Sequence, residues 1–258
     1  MERRLALVTG ANSGVGRETT RALAGEGWSV LMLCRSLDRG QAALDEIRGE
    51  GAPGDLHLLR LDLGDLTQVQ GAAEEVGEWL DQKDAQIDAL VNNAGVYRAS
   101  LERTPQGFER TLGVNHLGHF LLTRLLERRL RRTGVRIVQV SSEGHRRARL
   151  RRRPLAEILR GEGPYNGVQA YCDSKLANVL FGEELQRRWS ADGVSSVALH
   201  PGVLATGIWD RNRNFLMWLA RIFKPLMGDP AHGGANVARL VHDLPAGEIE
   251  GAYFKTPP

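Results

Sequence analysis

Leu5-Ala6-Leu7-Val8-Thr9-Gly10-Ala11-Asn12-Ser13-Gly14-Val15-Gly16 is the stretch that decides the fold. A short, unbroken apolar run reads as a strand covered on both faces. It ends in three glycines, and a helical pattern over Gly16–Glu26 follows at once. Glycines let the chain turn tightly, let backbone approach a pyrophosphate, and let the helix pack on the strand. The helix start then offers free N–H groups and a positive dipole end to phosphates. The spacing is Gly-x3-Gly-x-Gly, which departs from the generic Gly-x-Gly-x2-Gly. A tight strand-to-helix turn also needs glycine for structural reasons alone, so the loop does not decide function by itself.

Outward from this turn, the chain alternates. Apolar runs at Ser29–Cys34, Leu56–Leu61, Ala89–Asn92, Val135–Val140 and Ser195–Leu199 read as strands, with a last one at Gly251–Phe254. Helical patterns at Leu37–Arg48, Leu66–Leu80, Phe108–Arg131 and Ala170–Trp189 lie between them. Strand–helix alternation of this kind predicts an α/β protein: a single Rossmann-type domain over residues 1–258, with a doubly wound parallel sheet of about seven strands and helices on both faces. Two segments break the alternation. One is an insertion at about 144–167 with a short helical pattern at Pro154–Leu159. The other is an aromatic, apolar stretch at Trp209–Met227, within a region at about 207–228. Asp229-Pro230 then reads as a cap and first-turn proline.

Composition narrows the class. The 258 residues are 42% hydrophobic and 25% charged, with a formal charge of +3. The sequence pI is about 9.1. That balance does not call for a nucleic-acid partner. Lysine occurs only at Lys83, Lys175, Lys224 and Lys255, so arginine carries the positive charge. Two cysteines, Cys34 and Cys172, make neither a disulfide framework nor a metal site, so no metal is expected. Without an apolar N-terminal segment or a run long enough to span a bilayer, the expectation is a soluble, cytoplasmic protein.

The end of the second strand bears on the cofactor. An acid there grips the ribose hydroxyls of NAD, whereas an arginine accepts a 2′-phosphate. The strand ends Leu33-Cys34-Arg35-Ser36; Arg35 holds the decisive place, Arg39 lies a turn on, and Asp38 falls too late. NADP(H) is therefore the preferred cofactor, with NAD(H) left open.

Further motifs appear in a fixed order: Asp62-Leu63, Asn92-Asn93-Ala94-Gly95, Asn115 within Val114–Gly118, Ser141-Ser142, Tyr171-Cys172-Asp173-Ser174-Lys175, and His200-Pro201-Gly202-Val203-Leu204-Ala205-Thr206. With the glycine loop they resemble the short-chain dehydrogenase/reductase superfamily over essentially the whole chain. Thr9–Arg17, Val114–Phe120, Tyr165-Asn166 with Ala170–Leu180, and Leu199–Gly202 resemble its branch of retinol dehydrogenases and related carbonyl reductases. The resemblance implies a catalytic set of Asn115, Ser142, Tyr171 and Lys175. It implies a cofactor site of Gly10, Asn12, Ser13, Gly14, Val15, Gly16, Arg35, Asp62, Leu63, Asn93, Ala94, Gly95, Tyr171, Lys175, Pro201, Gly202, Val203 and Thr206.

The chemistry suits those residues. Hydride moves between nicotinamide and a carbon bearing oxygen, and the protein must move a proton at that oxygen. Tyr171 and Lys175 stand at i and i+4, on one helix face. With four tyrosines and four lysines in the chain, chance supplies only about 0.06 such pairs. A nearby ammonium is expected to lower the tyrosine pKa from roughly 10. Ser142, the second of its pair, is expected to donate to the substrate oxygen. Asn115 is expected to hold a water that relays protons towards Lys175. Ser142 and Tyr171 are 29 positions apart, wider than in compact family members. The retinol-dehydrogenase-like branch also has a longer link there.

The expected activity is hydride transfer between NADP(H) and a lipophilic alcohol or carbonyl compound. The alternative is a non-catalytic NADP(H)-sensing regulator or scaffold, which would be expected to lose the Tyr/Lys pair or the serine. The run Arg146–Arg153 reads as a solvated loop, as a contact to an anionic membrane or acidic partner, or, least well, as a nucleic-acid surface, since no aromatics interleave. Phe215–Phe223, where the family builds its substrate lid, could wall a pocket, lie on a bilayer, join two copies, or be ordinary core. A homo-oligomer is left open.

Overall fold

The computed structural model describes residues 4–133, 135–202, 229–242 and 251–255. The lid region, Val203 and Thr206 lie outside them. Seven parallel strands, β1 (Leu5–Thr9), β2 (Ser29–Cys34), β3 (Leu56–Arg60), β4 (Ala89–Asn92), β5 (Arg136–Val140), β6 (Ser195–Leu199) and β7 (Tyr253–Phe254), form one sheet in the order β3-β2-β1-β4-β5-β6-β7. This is the doubly wound parallel sheet that the alternation predicts. The order reverses between β1 and β4, which pair with Val8 opposite Val91. A crevice therefore opens beyond the carboxyl ends of these two strands, where open α/β sheets bind ligands.

Strands β1 to β5 divide their side chains between two cores. Ala6, Val8, Val30, Met32, Val138 and Val197 point to the face covered by α1 (Gly14–Gly25) and α2 (Leu37–Gly49). Leu5, Leu7, Leu31, Leu90 and Ile137 point to the other face, under α3 (Leu66–Lys83). Fully burying an aliphatic side chain of this size contributes about 1.5–3 kcal/mol, so the two-sided covering sets the alternation.

The expected single helix over Phe108–Arg131 is a correction. The chain forms a short α4 (Arg110–Leu112), a π-helical turn at Gly113–Leu117, α5 (Gly118–Leu125) and α6 (Glu127–Thr133). Close packing explains the glycine at the junction: a Cβ on Gly118 would lie 2.4 Å from the Leu63 carbonyl oxygen. The apolar period survives the π turn, which is why the sequence pattern reads as continuous.

The insertion holds two 3-10 turns, Glu143–Arg147 and Leu150–Arg152, and α7 (Leu155–Arg160). It leads into the long α8 (Gly167–Trp189), started by the Asn166 side chain, which accepts from the Gln169 N–H. Glu109 ties the insertion down. Its N–H donates to the Leu159 carbonyl at 2.7 Å. Its carboxylate accepts from the N–H groups of Thr111 and Leu112, and its Oε1 lies 2.9 Å from the Tyr165 hydroxyl. The last helix, α9 (Pro230–His242), starts where the Asp-Pro pair predicts: Asp229 Oδ1 accepts from the Ala231 N–H at 2.9 Å.

Candidate active site

The glycine turn leaves β1 at the switch point. Gly10 has φ +65° and Gly14 φ +54°, values that favour glycine. A Cβ on Gly16 would lie 2.4 Å from both the Gly10 carbonyl oxygen and Asn93 Nδ2. Helix and turn thus touch only because no side chain stands between them. Ser13 precedes α1 in extended conformation and makes no side-chain cap, so the first-turn N–H groups stay free for an external anion. Asn12 flanks the turn, while Val15 turns into the core. Asp62 spends Oδ1 on the Gly64 N–H at 2.9 Å, and Leu63 is buried. Arg35 ends β2 exposed, without an ion pair among the described residues. Arg60 is paired with Cys34 in the sheet register, placing a second exposed arginine at that edge, which the motif reading had not singled out. These residues fit a dinucleotide: an uncapped helix start, a cradle that a Cβ would fill, and an unpaired cation at the end of β2.

A buried hydrogen-bonded hub holds the turn against the neighbouring loop. Thr9 Oγ1 accepts from the N–H groups of Asn93 and Ala94 and meets His119 Nε2 at 2.8 Å. Asn93 Nδ2 donates to the Thr9 carbonyl at 2.8 Å. His119 Nδ1 lies 3.0 Å from the Asn115 carbonyl oxygen. Burial pushes the His119 pKa down to about 3, so the ring is neutral and can donate on one side while accepting on the other. His119 escaped the motif reading; its i+4 spacing from Asn115 is the only sequence signal for it.

Asn115 sits in the π turn, fully buried. Its Oδ1 accepts from the Val96 N–H at 2.7 Å, and its Nδ2 donates to the Val96 carbonyl and to Ser174 Oγ, both at 3.0 Å. The side-chain amide is thereby committed to protein partners and would not itself hold the expected water. It positions the 94–96 loop and α8 instead. A Cβ on Gly95 would lie 3.5 Å from Asn115 Oδ1 and 3.7 Å from Lys175 Nζ, so the loop runs between the two.

The two serines after β5 part ways. Ser141 Oγ donates to the Lys175 carbonyl at 2.8 Å, and its N–H donates to the Leu199 carbonyl at 2.7 Å, pinning α8 and β6 to the strand end. Ser142 faces the other way. It hydrogen-bonds Tyr171 and accepts from the Gly144 N–H at 3.2 Å.

Tyr171 and Lys175 share a face of α8, with Nζ 5.6 Å from the phenol ring centroid. The tyrosine pKa differs from the expected lowering. Burial pushes it up to about 12, opposed by the hydrogen bond with Ser142. Lys175 Nζ donates to the Val140 carbonyl, 2.9 Å away. Burial in turn pulls the Lys175 pKa down to about 8. Desolvation favours the neutral form of both groups: Tyr171 is a phenol at neutral pH and Lys175 remains mostly charged. Tyr97, buried and edge-on to Tyr171 at 6.4 Å between centroids, walls one side. Pro201 and Gly202, the latter at φ +104°, follow β6.

The chain is similar to known proteins of one family. The sequence model described as short chain dehydrogenase matches residues 4–151. Over 252 residues the chain is 38% identical to retinol dehydrogenase 12 of Homo sapiens, covering 97% of this chain and 77% of the relative. It is 37% identical over 252 residues to retinol dehydrogenase 11 of Mus musculus, with the same coverages. A solved short chain dehydrogenase from Burkholderia cenocepacia, in complex with NADP, superposes with a TM-score of 0.73 at 26% identity, covering 98% of this chain and 96% of that one. Among the described residues no helix is long and apolar enough to cross a membrane.

Proposed function

This chain belongs to the short-chain dehydrogenase family, and from that premise we propose that it interconverts a lipophilic alcohol and its carbonyl compound using NADP(H). It is an oxidoreductase acting on CH–OH and C=O groups, in a family that binds NAD(P)(H). One observation carries the mechanism. Tyr171, hydrogen-bonded to Ser142 and backed by Lys175, stands on the far side of the 94–96 loop from the glycine turn.

Bound nicotinamide supplies or accepts the hydride. In the reduction direction the Tyr171 O–H, kept neutral by burial, gives its proton to the substrate oxygen. Ser142 O–H donates a hydrogen bond to the same oxygen as negative charge gathers there. The Lys175 ammonium favours the phenolate left behind, and Tyr171 is reprotonated from solvent. Asn115 and His119 hold the loop and helix that fix these distances, and neither touches substrate.

The cofactor preference rests on Arg35. A guanidinium beside a 2′-phosphate makes a charge-assisted, two-pronged contact. Titration against the fluorescence of the five tryptophans is expected to show NADPH binding more tightly than NADH. Arg35→Asp is expected to weaken NADPH by about tenfold to a hundredfold and to spare NADH. Tighter NADH binding in the parent would refute the preference.

The lipophilic substrate rests on the similarity to proteins named retinol dehydrogenases and on Tyr97 beside the reacting phenol. In a series of aliphatic aldehydes, kcat/KM is expected to climb with chain length, by up to about 0.8 kcal/mol per buried methylene. A flat profile, or a preference for small charged keto acids, would reject it.

A further inference from the structure

Six arginines fall within the eight residues from Arg146 to Arg153, and no acid occurs from Gly144 to Ala156. Elsewhere on the surface arginines meet carboxylates: Arg21 reaches Glu18, Glu46 and Glu50, Arg131 reaches Glu127 and Asp192, and Arg187 and Arg188 share Glu184. In the run, Arg146 meets Glu143 at 3.4 Å and Arg153 meets Glu157 at 3.2 Å. Arg147, Arg149, Arg151 and Arg152 have no ion pair among the described residues. Four of the six, Arg146, Arg147, Arg149 and Arg152, line a groove of about 380 Å³ together with Gln169 and Cys172, and no carboxylate lines it. The nearest acid on α8, Asp173, accepts from the Arg149 N–H and from Gln169 Nε2 and borders the adjoining cleft.

One wall of the groove, Cys172, also faces the turn that holds Ser142. A Cβ on Gly144 would lie 3.5 Å from both Ser142 Oγ and Cys172 Sγ, and 3.7 Å from Tyr171 Cε1. Like charges gathered in a concave site repel one another unless an anion joins them. A lone carboxylate answers one guanidinium. A phosphoryl group carries up to about two charges and three acceptor oxygens, and guanidinium forks match its geometry.

We propose that this groove is an anion site for a phosphoryl group, as a phosphate monoester or diester, held by Arg146, Arg147, Arg149 and Arg152. The site does not depend on the redox reading. The test keeps NADPH saturating, so that the glycine turn is filled, and titrates inorganic pyrophosphate by calorimetry. One binding event per chain is expected. Arg147→Gln/Arg152→Gln is expected to weaken it about tenfold or more, whereas Arg187→Gln/Arg188→Gln, which removes the same charge from the far end of α8, leaves it unchanged. Both pairs are exposed, and thermal melts confirm folding. Fluorescence titration of NADPH in each variant separates a failure at this groove from a failure at the cofactor site. A second arm uses phosphatidylcholine vesicles with and without phosphatidic acid. Vesicle binding that follows the same variant pattern assigns the phosphoryl group to a lipid headgroup, and its absence assigns a soluble ester. Equal weakening by both double variants, no binding in either arm, or binding of polyglutamate alone overturns the proposal.

Discussion

Tyr171→Phe is expected to lower turnover of an aldehyde by about a hundredfold or more, while NADPH affinity stays within about twofold of the parent. The substitution removes one oxygen and keeps the ring that packs edge-on to Tyr97. The lost atom is the one hydrogen-bonded to Ser142, so no other group at that place can give up a proton. Burial holds the phenol neutral, with a pKa near 12, which makes it a proton reservoir across the neutral range. Steady-state rates together with cofactor fluorescence titration check both halves. Near-parental turnover would remove Tyr171 from the chemistry. Loss of NADPH binding would instead mean that the hydroxyl supports the cofactor.

Lys175→Met is expected to lose activity by a comparable factor and to gain stability. The lysine pKa is about 8 in the fold against 10.5 ordinarily, so the buried ammonium opposes folding. The sign follows from proton counts: between about pH 8 and 10.5 the unfolded chain holds a proton that the folded chain has released, so stability rises with pH there. Below pH 8 the full cost is present, and methionine removes it. A Tm at pH 7 above that of the parent is expected, and an unchanged or lower Tm would contradict it. The same pKa shapes the rate. In the parent, kcat/KM for carbonyl reduction is expected to be level below about pH 8 and to fall as pH rises through that value, because the charge that favours phenolate is lost. A profile that stays level through pH 9 would show that the charge is not required.

The fold was legible because the central strands bury both faces. Leu5–Thr9 and Ser29–Cys34 read as unbroken apolar runs, and the structure ends both strands at those residues. Tyr171 and Lys175 were legible because i, i+4 spacing on a helix is a geometric statement. The break of Phe108–Arg131 into four pieces was not, because a π turn shifts hydrogen bonds without changing which residues are apolar. Nor was the Tyr171 pKa direction. Sequence places the ammonium near the ring, but only three dimensions reveal how completely the phenol is buried. The commitment of the Asn115 amide depends on Val96 and Ser174, partners 19 and 59 positions away, which a single sequence does not pair.

The Thr9–His119–Asn115 hub has an evolutionary consequence. It joins the glycine turn, the 94–96 loop, the π turn and, through Ser174, the catalytic helix. Residues 143–167 contribute nothing to it; they fasten to the body through Glu109, Tyr165 and Asp173. Selection can therefore rewrite that segment beyond Gly144, which holds Ser142, while the hub keeps its spacing. Mutations in the hub have no such latitude, since each partner there answers to two others. One chain thus pairs a cross-braced centre with a loosely fastened border, and the two can change at different rates.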